Sequence, residues 1–82
     1  MKPPKTSPKP SAIMDLRGIA CPLSWARAKA RLETMARGAR LALLVDDARA
    51  ARDIPGAAEA EGWAVVDIAT AAGDATRIVI ER

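Results

Sequence analysis

Chemistry in this chain narrows quickly to one side chain. Cys21 is the single cysteine, and histidine, tyrosine and phenylalanine are absent. Without histidine there is no Ser-His-Asp triad, no Cys-His pair and no imidazole metal ligand. One cysteine makes neither an internal disulfide nor a thiolate zinc site. No metal and no cofactor are therefore expected. A lone thiolate, with no resolving cysteine and no base, can still hold a group as a persulfide or mixed disulfide and pass it on. That is the chemistry of a carrier more than of a self-contained enzyme.

The neighbours of the thiol suggest how it is presented. Cys21-Pro22-Leu23-Ser24 stands where a strand and the Gly18 turn give way to a helix. Proline favours the first helical position, because its missing N–H would be unpaired there anyway. Pro22 at that position makes Cys21 the N-cap, facing free amides and the positive end of the helix dipole. Such surroundings favour the thiolate, the nucleophilic form. The competing reading is a small residue buried at a tight turn. Leu23 lies off the apolar stripe and is expected at the surface, as a partner-docking contact or an ordinary exposed leucine. Lys29, Asp47 and Arg52 are candidates for a charged rim that steers a partner to the thiol. The alternatives are solvated charge for Lys29, and loop capping and turn geometry for Asp47, Arg52 and Asp53. Trp25 and Trp63 are expected in the core.

Elements able to hold these residues alternate along the chain. Ala12 to Leu16 is a short apolar strand ending near Gly18. From Pro22 to about Ala36 the spacing is helical, with Trp25, Ala28, Leu32 and Met35 on one stripe and Gly38 as the expected stop. Leu41 to Val45 is a continuous apolar run suited to a buried strand, ended by Asp46-Asp47. A second helix is expected in two pieces, one turn from Ala48 to Arg52 and a new helix opening at Pro55 with Asp53 near its cap. It stops at Gly62. Trp63 to Ala69 and Thr76 to Ile80 read as strands around a turn at Ala71–Asp74, and Val65-Val66 interrupts strict alternation. Helices on one face of one sheet make an α/β two-layer sandwich.

Composition limits what this sandwich can enclose. Half of the 82 residues are apolar, but nineteen of those are alanine. A chain this short hides only about 60% of its unfolded surface, so one thin core is expected and a large closed cavity is not. The formal charge of +3 is carried by Lys2, Lys5 and Lys9. The remaining ten basic and ten acidic residues cancel. Residues 1–11, rich in lysine and proline, read as a flexible or polyproline-like tail, and 12–82 as the folded domain. No apolar run is long enough to span a membrane, and no secretory h-region follows Met1. A soluble cytoplasmic monomer is expected, with no membrane partner.

Three blocks, in order, resemble the TusA/SirA family of small sulfur-carrier proteins over about Ile13 to Ile80. They are Asp15-Leu16-Arg17-Gly18-Ile19-Ala20-Cys21-Pro22; Gly38 followed by Leu41–Val45 and Asp46-Asp47; and Arg52-Asp53-Ile54-Pro55 with Gly62 beyond. The resemblance implies a βαβαββ sandwich with a mixed four-stranded sheet and two helices on one face. It implies that Cys21 accepts sulfane sulfur as a persulfide from a cysteine desulfurase or rhodanese-type donor and relays it to an acceptor protein. The family serves tRNA thiolation, molybdenum-cofactor and sulfur-oxidation pathways. Pro22 inherits the helix-start role. One position departs: the family tetrad is Cys-Pro-x-Pro, and Ser24 replaces the second proline. Serine restores an amide where an N-cap side chain commonly accepts one, so Ser24 is expected to give Cys21 an extra donor.

Two other readings compete. A nucleic-acid-binding or regulatory module draws on the basic tail, Arg27 and Arg31, but the folded part is neutral and lacks Tyr and Phe for base stacking. A degenerate scaffold of the same fold would dock a sulfur-pathway protein while Cys21 carries nothing.

Overall fold

The computed structural model describes residues 10–82. Of the expected tail at residues 1–11, residues 1–9 lie outside them. Six elements follow in the order β1 (Ala12–Asp15), α1 (Leu23–Thr34), β2 (Arg40–Val45), α2 (Ala48–Ala60), β3 (Ala64–Thr70) and β4 (Thr76–Glu81). The strands form one sheet in the order β1-β2-β4-β3. β1 runs parallel to β2, while β4 is antiparallel to both β2 and β3. The mixed four-stranded sheet with two helices is the architecture the sequence implies.

Side-chain alternation explains the layering. Leu41, Leu43 and Val45 of β2 and Ile78 and Ile80 of β4 are fully buried in one cluster with Ala28 and Leu32 of α1 and Ala50, Ile54 and Ala58 of α2. The helical residues recur every four positions, so each helix lays one stripe on the sheet. Alanine on those stripes lets the helix backbones approach closely. The opposite sheet face pairs Ala42 with Val79, beside the Arg40–Glu81 ion pair. Trp25 and Trp63 pack at the edge of the core with ring centroids 6.1 Å apart and planes tilted by 59°. Both tryptophans thus serve packing, as expected.

Three details differ from the sequence expectation. α2 is one continuous helix with Pro55 inside it, and its N-cap is Asp47 rather than Asp53. Proline leaves the carbonyl of Ala51 without its usual intrahelical donor, but burial of Ala50, Ile54 and Ala58 on one line holds both halves on the sheet. α1 ends at Thr34 with an extended Met35 cap, so Gly38 is not its stop. Instead Gly38 turns the chain with φ +85° and donates its N–H to the Arg82 carbonyl. Gly62, by contrast, ends α2 as expected. At φ +87° it lets its own N–H reach Glu59 and that of Trp63 reach Ala58, a Schellman closure. The irregular Val65-Val66 pair is a register shift between Val65 and Asp67, a bulge that keeps Val65 against the core and turns Asp67 to the other face.

Candidate functional site

The loop from Leu16 to Pro22 joins β1 to α1 and carries the thiol. Its base continues the sheet, since the buried Leu16 donates its N–H to the Leu44 carbonyl at 2.8 Å. The chain then turns at Gly18, whose φ of +84° suits a residue without Cβ. Ile19 closes the turn back onto the Leu16 carbonyl. The loop is secured from the neighbouring strand. Because β1 and β2 are parallel and adjacent, Asp46 and Asp47, which follow β2, arrive beside it. Asp46 Oδ1 accepts the Gly18 N–H at 2.9 Å, and Asp47 Oδ2 accepts the Cys21 N–H at 3.0 Å.

Two of the carboxylates around the loop, Asp15 and Asp47, are held in their charged form. Asp15 receives the Arg17 amide and guanidinium at 2.8–3.0 Å. These bonds lower its carboxyl to about 2. The Cys21 amide, followed by the amide and charge of Arg49, holds Asp47 below the ordinary carboxylate value. Asp47 therefore serves twice: Oδ2 fixes the cysteine backbone while Oδ1 accepts from Arg49 at the start of α2.

The helix start corrects the sequence reading. α1 begins at Leu23 with Pro22 as its N-cap, and no side chain among the described residues caps it. Cys21, the expected cap, thus stands one residue before the observed one. The Ser24 N–H is not a donor to the thiol, because the Ala20 carbonyl takes it at 3.1 Å. Ser24 itself is fully buried on the same line as Ala28 and Leu32, and its Oγ has no partner among the described residues. The Cys21 side chain is half-buried against the edge of the core. Leu23, next to it, is 55% exposed.

The other candidate residues are spread more widely. Lys29 pairs with Glu61 at 3.1 Å, joining α1 to the far end of α2. Arg52 is exposed and pairs with Asp53 at 3.1 Å. It lines an open depression of about 560 Å³ with Asp46, Asp47, Ala51, Asp74 and Thr76. This depression adjoins the carboxylates that hold the loop, and Cys21 is not among its walls. Asp46, Asp15 and Arg17 were not singled out from the sequence as site residues. Two acids directly after a buried strand, with a glycine turn elsewhere in need of amide acceptors, are the signal that points to the first. Among the described residues no cluster of acids and thiol is arranged to hold a metal, and no helix is long and apolar enough to cross a membrane.

Comparison with known proteins adds the lineage. A "Putative sulfur carrier protein" of Archaeoglobus fulgidus is 36% identical over 56 residues, which are 68% of this chain and 64% of that protein. The match thus spans somewhat less than two thirds of the relative's length. The crystal structure of a SirA-like protein from Desulfitobacterium hafniense superposes with a TM-score of 0.75 at 24% identity, covering 85% of this chain and 95% of the other. That likeness establishes the shared fold. Residues 12–82 match the family described as Sulfurtransferase TusA, and with all six elements and the cysteine loop inside that span, the chain belongs to the TusA sulfurtransferase family.

Proposed function

We propose that this protein is a sulfur carrier in which Cys21 holds the sulfur as a persulfide. The observation that carries the reading is the thiol itself: half-buried at the end of a loop whose backbone is fixed by Asp46 and Asp47, beside an exposed Leu23. The transfer balances without an oxidant. The Cys21 thiolate attacks the outer sulfur of a donor persulfide, a new S–S bond forms on Cys21, and the donor's S–S bond breaks to release its thiolate. An acceptor nucleophile then takes the outer sulfur and returns Cys21 to thiolate.

A cysteine desulfurase or rhodanese-type protein is the proposed donor. The acceptor would belong to tRNA thiolation, molybdenum-cofactor assembly or sulfur oxidation, in a reducing cytoplasmic setting. Pro22, Ser24 and Gly18 shape the loop and helix start. Leu23 is the apolar contact for a docking protein, and Lys29, Asp47 and Arg52, more widely spread, are the charged groups of the same docking role. Incubation with a cysteine desulfurase and cysteine should add the mass of one sulfur atom to the wild type and none to Cys21→Ser. Absence of that adduct on the wild type with several donors would overturn the reading.

A further inference from the structure

Asp47 joins two segments that are far apart in sequence. One oxygen accepts from the Cys21 amide, 26 residues earlier in the chain, and the other from Arg49 in the first turn of α2. We propose that Asp47 is a positioning residue for sulfur transfer, setting the direction in which Cys21 presents its sulfur by tying the cysteine backbone to the start of α2. This rests on the carrier reading and adds to it the group that orients the carrier atom.

Besides packing of the Cys21 side chain against the edge of the core, the loop fixes that orientation through few bonds. Cys21 lies between the Gly18 turn and the first residue of α1, and its amide has no backbone acceptor among the described residues. Asp46 restrains the loop earlier, at Gly18, so it sets the turn and not the bond adjoining the thiol. The first turn of α1 is closed by Ser24 onto Ala20 and Ala26 onto Pro22. These bonds shape the chain around Cys21 but leave the cysteine's own peptide group to Asp47. In-line attack between two sulfur atoms needs an aligned trajectory, and a displacement of about 1 Å can cost on the order of 100-fold in rate.

The competing role is an ordinary helix cap, and substitution separates the two. Serine caps a helix about as well as aspartate, but its shorter side chain cannot also span to Cys21. Asparagine is isosteric and also a good cap, yet it offers one acceptor oxygen where Asp47 uses two. The experiment loads wild type, Asp47→Ser and Asp47→Asn with a cysteine desulfurase and cysteine, and follows sulfur passage to an acceptor protein thiol. Thermal unfolding and amide hydrogen exchange are measured on the same samples. We expect roughly tenfold or greater slowing of transfer in both variants, and faster exchange at Cys21 than in the wild type. The melting temperature should stay within a few degrees, and attack of Cys21 on a small aromatic disulfide should change less than about twofold. If the wild type loads sulfur and both variants transfer it at the wild-type rate, Asp47 is only a cap and the proposal is overturned. Failure of the wild type to load at all instead overturns the carrier reading. Should one variant fail to fold, the other decides.

Discussion

Ser24 is the residue where this chain pays a visible structural cost. Its hydroxyl is fully buried on the core-facing line of α1 and bonds to nothing among the described residues. An unsatisfied buried polar group costs about 1–3 kcal/mol, and serine is also a poorer helix former than alanine by a few tenths of a kcal/mol. The amide of Ser24 bonds to the Ala20 carbonyl, an interaction that alanine preserves. Ser24→Ala should therefore raise stability by about 1 kcal/mol, which for a domain of this size is about 4–8 °C in melting temperature. Urea unfolding at neutral pH measures it. An unchanged or lower midpoint would mean that the hydroxyl is paired in solution. The sequence singled out Ser24 but expected its amide to meet the Cys21 thiol, where the Ala20 carbonyl accepts it, because donor geometry at a helix start depends on which residue is the cap. That residue proved to be Pro22, one place later than expected.

At the scale of elements, periodicity served well where burial and local preference agree. The strands and α1 lie within a residue or two of their expected places, since their apolar spacing and bounding turns point the same way. α2 is the exception. Pro55 reads locally as a helix start, and Asp53 offers a plausible cap two residues before it. The tertiary environment overrides both, because Ala50, Ile54 and Ala58 form one buried line only if the helix is continuous. Proline inside a helix costs about 3 kcal/mol relative to alanine, partly offset by its stiffening of the unfolded chain. Pro55→Ala should stabilise the protein by about 1–3 kcal/mol, seen as a higher urea midpoint with unchanged slope. Destabilisation would show that the proline ring packs in a way that outweighs the missing hydrogen bond.

The whole molecule owes the site to topology. Asp15, Cys21, Asp46 and Asp47 converge because β1 and β2 run parallel in adjacent register, so both strands end at the same edge of the sheet. Spacing along the chain does not reveal which loop amides a given acid will meet, so the fold was legible and Asp47 stood out as a rim or loop-capping residue, while its bond to Cys21 and the role of Asp46 were not. This convergence also sets how the fold responds to acid. Asp15 in the folded protein titrates at about 2, below its ordinary value of 3.8, owing to Arg17. Asp47 lies below its ordinary value owing chiefly to the Cys21 amide. A carboxyl lowered by folding contributes stability that is present above its unfolded value and lost as pH falls toward its folded value. Stability should thus hold from neutral pH down to about 5 and decline between about 4 and 2. Asp15→Asn removes one of the two groups, so the difference between its urea midpoint and that of the wild type should shrink steadily across the same interval. A difference that stays constant from pH 7 to 2 would show that the Asp15–Arg17 bonds do not bias folding, and would leave the acid response to Asp47 and the cysteine loop it holds.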